Sequence, residues 1–335
     1  MKVGKIIIIV LGIVIVFVLV VLIAGLQSLL RKPEFVITQT VFTDNKGYPS
    51  IKFVFKTERY PLTFKLFTQE GELVDQAVAS SGETVKYLSL TGLGYKKNLK
   101  GPKAFIIKVY CVSEEVYSGN IEVKGIDPKL TWDADSLETQ IDTFGISIKT
   151  IKFKVKNEGD TPLYINVLSE DFKCYLDGER LATSVEDTVI MPGEEALIKV
   201  SPALAWISHD KLNLKHTIEI DIAGSKLTYE IQPLSPRIQI VQLNYKLLFG
   251  NTVSLESLSV TIENTWSLPI DANWAEITIN AEKSSYSLNE EVKIKPNETA
   301  EVTYKLLLIT ANKGETVTVK VKLGTTEAVK QIPIS

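Results

Sequence analysis

From residue 33 onward the chain alternates apolar and polar side chains with a period of two. Thr316-Val317-Thr318-Val319-Lys320-Val321-Lys322-Leu323 is the cleanest stretch, apolar on odd positions and polar on even ones. Such a segment is a strand with one face in a core and one in water. Short runs of this kind recur between Gly, Pro, Asn and Asp, and no long helical pattern interrupts them. The pattern predicts an all-β chain built of sandwiches. One segment breaks it. Ile6 to Leu26 is a run of 21 residues without a charged or strongly polar side chain. A hydrocarbon core about 30 Å thick needs roughly 20 helical residues to cross it, so the run predicts one transmembrane helix. A cleaved secretory signal has a shorter apolar region, ~7–15 residues, closed by a small-x-small site. Leu22-Ile23-Ala24 is a poor match to such a site. The expectation is an uncleaved anchor that contacts the lipid bilayer through residues 6–26.

Lys2 and Lys5 precede the run, and Arg31 and Lys32 follow it. The positive-inside count is near a tie. A five-residue tail before a large folded mass favours a signal-anchor with the C-terminal part exported. The helix lacks a Gly-x-x-x-Gly pair, so no close-packed helix dimer is implied.

The pattern also repeats at roughly 100 residues, the size of one immunoglobulin-like domain. Ile151-Lys152-Phe153-Lys154-Val155-Lys156-Asn157 is followed by Pro162, and Leu258-Ser259-Val260-Thr261-Ile262-Glu263-Asn264 by Pro269. Asn bonds its own backbone and tolerates the left-handed region, so it ends strands. Pro192-Gly193-Glu194 and Pro296-Asn297-Glu298 form a second matched turn, and His216–Ile231 and Thr316–Ile334 read as closing hairpins. A more diverged copy runs from Ile51 through Pro61 and Ser81-Gly82-Glu83 to a hairpin at Ala104–Val123. The predicted organisation is a tail, anchor and basic stop at 1–32, then sandwiches at 33–126, 127–234 and 235–335. The short joints near Asp127-Pro128 and Pro233–Pro236 predict a semi-rigid arrangement.

Charge and cysteine usage narrow the function classes. The first 32 residues carry four basic and no acidic side chains, against 37 basic and 40 acidic in the whole chain, so the remainder is acidic by seven. No basic stripe for nucleic acid exists, and that partner is excluded. The two cysteines, Cys111 and Cys174, each fall in phase with apolar neighbours and read as core thiols of different domains, not as a disulfide framework. Scarce Cys and Met beside abundant Ile, Val, Lys and Glu is the balance of a thermophile's protein.

Catalytic chemistry finds little to work with. His209 and His216 are the only histidines, and both read as surface residues. No Gly-x-Ser-x-Gly, His-Glu-x-x-His, Cys-x-x-Cys or phosphate-loop pattern occurs. Asp133-Ala134-Asp135-Ser136-Leu137-Glu138 lacks the ligand spacing and bend glycine of a calcium loop and reads as a solvated acidic loop. The chain is therefore expected to be no enzyme and to hold no metal or cofactor. Asn297-Glu298-Thr299 is the one glycan acceptor sequence, placed in an exposed turn. Trp266, in the loop between Asn264 and Pro269, is either a contact anchor or a lid on its own sandwich.

Two resemblances add to this reading. Pro236-Arg237-Ile238-Gln239-Ile240-Val241, through Leu255 and Leu258 to Val260-Thr261-Ile262-Glu263-Asn264 and Leu268-Pro269-Ile270, resembles the late-embryogenesis-abundant type 2 family, also called the water-stress and hypersensitive-response (WHy) domain. Its usual Asn-Pro-Asn-Pro run is replaced here by Asn264-Thr265-Trp266-Ser267-Leu268-Pro269. The segment Val155–Asp160 through Asp177-Gly178 to Pro192-Gly193-Glu194 is similar to that family and equally to adhesion-related immunoglobulin-like sandwiches of prokaryotic surface proteins. The resemblances imply seven-stranded sandwiches and a stress-protective or adhesive role. Gly4-Lys5 before the apolar run resembles the processing site of archaeal type IV pilin precursors, which implies a filament subunit. The leading expectation is a single-pass, non-enzymatic surface protein whose extracellular sandwiches make structural or binding contacts with surface proteins or glycans.

Overall fold

The computed structural model describes residues 18–22, 35–167 and 170–335. Of the expected transmembrane run only Val18–Leu22 is included, and it is helical; the rest of that run, Gly4-Lys5 and the basic pair Arg31-Lys32 lie outside the described residues. Among the described residues no helix is long and apolar enough to cross a membrane. The chain divides into two compact units. One holds the residues up to Asp127 with Asn157–Tyr164 and Ile190–Glu194; the other holds Pro128–Lys156, Ile165–Val189 and Glu195–Ser335.

In the first unit seven strands run in chain order as β1 (Phe35–Asn45), β2 (Tyr48–Thr57), β3 (Leu62–Thr68), β4 (Leu73–Ala79), β5 (Val85–Ser89), β6 (Lys103–Cys111) and β7 (Glu114–Val123). They form a three-stranded sheet β1-β2-β5 and a four-stranded sheet β4-β3-β6-β7. Alternation drives the packing. Ile51, Phe53 and Phe55 of β2 and Leu88 of β5 meet Leu62, Phe64 and Leu66 of β3 and Phe105, Ile107 and Val109 of β6 in one buried core. Intervening residues of the same strands face outward. This is an immunoglobulin-like sandwich.

The same strand order recurs twice. The next strands are β8 (Pro128–Asp142), β9 (Gly145–Asn157), β10 (Leu163–Ile165), β11 (Phe172–Leu176), β12 (Glu179–Arg180), β13 (Thr183–Val185), β14 (Thr188–Ile190), β15 (Glu195–Pro202), β16 (Trp206–Ser208), β17 (His216–Ile222) and β18 (Ser225–Ile231). Then come β19 (Arg237–Phe249), β20 (Thr252–Glu263), β21 (Ile270–Asp271), β22 (Glu276–Ile279), β23 (Glu282–Lys283), β24 (Tyr286–Leu288), β25 (Lys293–Ile294), β26 (Thr299–Asn312), β27 (Thr316–Leu323) and β28 (Thr326–Pro333). In the second unit β9 lies between β8 and β15, and β20 between β19 and β26, just as β2 lies between β1 and β5. The four-stranded sheets are β12-β11-β17-β18 and β23-β22-β27-β28. The expected closing hairpins are β6–β7, β17–β18 and β27–β28. In β27 the odd residues Val317, Val319, Val321 and Leu323 are buried, as the alternation requires.

Turn chemistry repeats along with the strands. Glu83, Glu194, Glu298 and Glu315 each accept a side-chain bond from the backbone N–H three residues earlier, at Ser80, Met191, Lys295 and Asn312. Each also donates its own N–H back to that residue's carbonyl. The residue before each glutamate takes positive φ: Gly82, Gly193, Asn297 and Gly314. Gly and Asn are the residues that accept this conformation most readily. Asn297 thus holds the place of Gly193 in the matched turn.

Two sequence expectations change here. Asp133–Glu138 lies within β8 and not in a loop, because that segment joins β9 in a ladder. Glu138 there meets Lys152 of β9 at 2.5 Å, and that bond, with one to Thr150, holds its carboxyl below the usual range. Cys111 is only half-buried, since it ends β6 beside an exposed turn, whereas Cys174 is buried; both are free thiols.

Candidate functional site

The groups that could carry chemistry are taken up by the fold. His216 is buried, contrary to its reading as a surface residue, because it opens β17 on the core side. Its Nδ1 lies 2.6 Å from Asp177 Oδ2 and its Nε2 lies 2.9 Å from the Lys211 carbonyl, so neither ring nitrogen is left for a ligand. Asp177 is fixed in turn by the Thr217 N–H at 2.8 Å. His209 sits exposed in a single 3-10 turn, His209–Lys211. Burial pushes the Cys174 thiol up to about 12, which keeps it protonated and unreactive. Among the described residues no three His, Cys, Asp or Glu side chains gather as a metal site.

The polar groups that are fully buried act at the bases of the sandwiches. Asn157 Nδ2 donates to the carbonyls of Thr161 (2.7 Å) and Ile190 (3.0 Å), and its Oδ1 accepts from Gly159 N–H (3.1 Å). Asn264 does the same with Leu268 (2.9 Å), Ile294 (2.8 Å) and Trp266 N–H (2.9 Å). Neither Asn takes positive φ. Their role is to tie three backbone segments together, beyond ending a strand. In the first sandwich the nearest backbone bond of this kind is Phe55 N–H to the Thr84 carbonyl, one residue past the turn glutamate Glu83. Phe55 packs on Phe35 and Phe64 with ring centroids 5.9 and 4.9 Å away.

Trp266 follows Asn264 by two residues, as Gly159 follows Asn157. Its side chain is only 4% exposed, and its Nε1–H donates to the Gln232 carbonyl at 2.6 Å. The indole is spent inside the second unit and offers no surface to a partner. At the corresponding place in the first unit, a Cβ on Gly159 would stand 2.1 Å from the Gly125 carbonyl oxygen. One position thus needs no side chain and the other needs a large one. Nearby, Trp274 Nε1–H donates to the Asp142 carbonyl at 2.7 Å. Asp271 is buried, with Oδ1 accepting from Asn273 and Oδ2 unpartnered, and burial raises its carboxyl above the usual range.

Large exposed apolar side chains lie elsewhere, at hairpin ends. Val112 between β6 and β7, Phe144 between β8 and β9, and Phe249 at the end of β19 are 77%, 68% and 88% exposed. Leu247 and Leu248 extend the last of these. Sequence reasoning missed all of them, because an apolar residue at the end of a strand pattern reads as one more core position. Asn297 is exposed in its turn, with no side-chain partner described. In the first unit a cavity of about 590 Å³ is lined by Val74, Leu90, Lys97, Asn98, Leu99 and Phe105, among others.

No protein-family model matches the chain, and no curated protein matches it. Among solved structures it is similar to Dpr2 Ig1-Ig2 in complex with DIP-Theta Ig1-Ig3, at 8% identity over 90% of this chain and 98% of that one, TM-score 0.28. It is also similar to alpha-2-macroglobulin from Escherichia coli spanning domains MG0-NIE-MG1, at 7% identity over 89% and 96%, TM-score 0.26. A third is the central fibronectin-III array of RIM-binding protein, at 10% identity over 90% and 97%, TM-score 0.18.

Proposed function

We propose that this chain is a membrane-anchored, non-enzymatic surface protein whose tandem β-sandwiches make contacts at their loop ends. The observation that carries the reading is the set of large apolar side chains left in water at hairpin turns: Val112, Phe144 and Phe249. Scattered apolar residues on a surface need no explanation, but rings and branched chains placed at hairpin ends are a means of contact. The ionisable groups support the same reading, since His216, Asp177 and Cys174 are engaged or buried and form no open cleft. The anchor is the apolar run Ile6–Leu26, read from composition and length. Exported, the chain would carry a glycan at Asn297.

Alkaline carbonate extraction tests the anchoring. The full chain is expected to stay with the membrane, and a chain lacking residues 6–26 to be released. Release of both would end the anchored reading. A stress-protective role is a second reading, favoured by the buried asparagine at a strand end that the type 2 resemblance leads one to expect. It predicts that the protein suppresses aggregation of a heat-labile client; equal aggregation with and without it would rule that role out.

A further inference from the structure

The hairpin β19–β20 ends in a tip whose apolar side chains stand in water on both of its faces. Successive side chains of a strand point to opposite faces, so a strand resting on a core leaves its alternate residues exposed. Earlier in β19 Ile240 and Leu243 are buried while Gln239, Val241 and Gln242 are exposed. At the end of the strand burial stops. Lys246, Leu247, Leu248 and Phe249 are exposed without a break. The register slips between Leu247, which pairs with Val253, and Phe249, which pairs with Thr252. Gly250, at φ +57°, then turns the chain.

The same sheet adds a further apolar side chain to this end. Ile309 of β26 pairs with Leu255, two residues along β20 from Val253. Beside it Leu308 is fully exposed at φ +57°. Glycine holds that conformation without strain and leucine does not, so an apolar side chain is kept in water there at a cost in backbone strain.

The charge at the tip is basic. Arg237–Leu255 contains Arg237 and Lys246 and no acidic residue. Lys313 N–H bonds the Asn251 carbonyl at 2.7 Å, which brings a second lysine to the turn. Of the acidic residues that follow, Glu256 lies in the bulge of β20, and the Glu315 carboxylate is tied to Asn312 N–H and Nδ2 at 2.9 and 2.8 Å.

We propose that this tip inserts into the interface of a lipid bilayer that carries anionic headgroups. Three observations select a bilayer over a protein. A protein surface covers one face of a hairpin, whereas a bilayer closes around a tip from every side and takes Leu247, Leu248 and Leu308 together. Lys246 and Lys313 stand beside the apolar group, where a lysine stem lies along hydrocarbon and its ammonium stays among phosphates. The backbone is also suited to leaving water, which demands that polar groups be paired within the chain. The ladder runs out to Phe249 with Thr252, and the Asn251 carbonyl is taken by Lys313. The inference rests on the contact reading, since it names the partner of one loop end, and is independent of the anchor.

The test uses the full chain in nanodiscs of phosphatidylcholine, mixed with vesicles of phosphatidylcholine alone or with about 30% phosphatidylserine. An environment-sensitive fluorophore is attached at Asn251→Cys in a Cys111→Ser background. Glu301→Cys is the control, since Glu301 pairs with Thr261, about 30 Å along β20 from the turn. The Asn251 label is expected to shift to the blue and to be quenched by nitroxides on lipid acyl chains, most strongly with phosphatidylserine. The Glu301 label is expected to do neither. L247S/L248S/F249S should leave the tip label in water, because each lost side chain weakens insertion by about tenfold. K246E/K313E should raise the amount of anionic vesicle needed by about tenfold or more. All five side chains are exposed, so thermal unfolding should be unchanged in both variants, which separates lost contact from lost fold. A tip label that stays in water with every bilayer overturns the proposal. So does a triple variant whose label responds as the wild type's does. A blue shift that precedes any vesicle and grows with the concentration of the chain overturns it too, and assigns the tip to a second copy. None of these outcomes changes the carbonate result or the exposure of Val112 and Phe144, so failure here is distinguishable from failure of the surface reading.

Discussion

Asn264→Ala tests the claim that a buried amide ties the base of the third sandwich. The residue is fully buried and makes three bonds, two donated to carbonyls at 2.9 and 2.8 Å and one accepted from an N–H at 2.9 Å. Alanine leaves all three backbone groups without a partner. Each buried polar group so stranded costs about 1–3 kcal/mol. Water entering the small void offsets part, so the expected loss is about 3–5 kcal/mol, against a typical domain stability of about 5–15 kcal/mol. Asn264→Asp keeps the shape but turns an acceptor toward the Leu268 and Ile294 carbonyls, and should cost as much. Asn157→Ala should cost about the same in its own unit, since its bonds are the same in kind. Because several sandwiches in one chain need not unfold together, hydrogen exchange read by mass spectrometry is the assay, with urea unfolding beside it. Exchange should rise in peptides covering 264–272 and 292–298 and stay unchanged up to residue 123. A loss below about 1 kcal/mol, or an aspartate tolerated as well as the native residue, would refute the reasoning.

Other predictions follow from single sites. Cys174, pushed up to about 12 by burial, binds its proton in the folded chain above the pH at which the unfolded thiol, near 9, has lost it; stability should therefore fall as pH rises from about 9 to 12, and C174A should flatten part of that loss in a pH series of melting curves. Tyr286, also raised to about 12 by burial, acts in the same direction. Native alkylation should label half-buried Cys111 before Cys174. Asp271 has a raised carboxyl, so its contribution is present below the ordinary carboxylate range and is lost as pH rises through its folded value; D271N should match or exceed the wild-type stability at pH 7. Gly159→Ala should destabilise the first unit by about 1–3 kcal/mol, because the added methyl meets the Gly125 carbonyl at 2.1 Å and the Asp127 nitrogen at 2.7 Å, both backbone atoms that cannot step aside.

The alternation in Thr316–Leu323 and the matched Asn and Pro positions made the repeated sandwiches legible, because a two-residue period and a turn residue state their own geometry. The site was less legible. Asn157 and Asn264 showed themselves as strand ends, but the carbonyls they bind lie 33 and 30 residues away at Ile190 and Ile294, which no local pattern reveals. His216 looked like a surface residue because Ser208–Lys211 nearby is polar, yet its ring turns inward to Asp177, 39 residues back. Leu204 and Leu308 were invisible for another reason: apolar residues beside strand patterns read as core, yet both stand in water at positive φ.

Protease treatment of intact cells, with mass spectrometry of what stays in the membrane, tests the central claim most directly. The account predicts loss of the sandwiches and a surviving peptide that spans Ile6 to Leu26. An intact Met1–Gly4 segment on that peptide would also exclude the filament alternative. Full protection of the sandwiches while the cells remain intact would contradict the account.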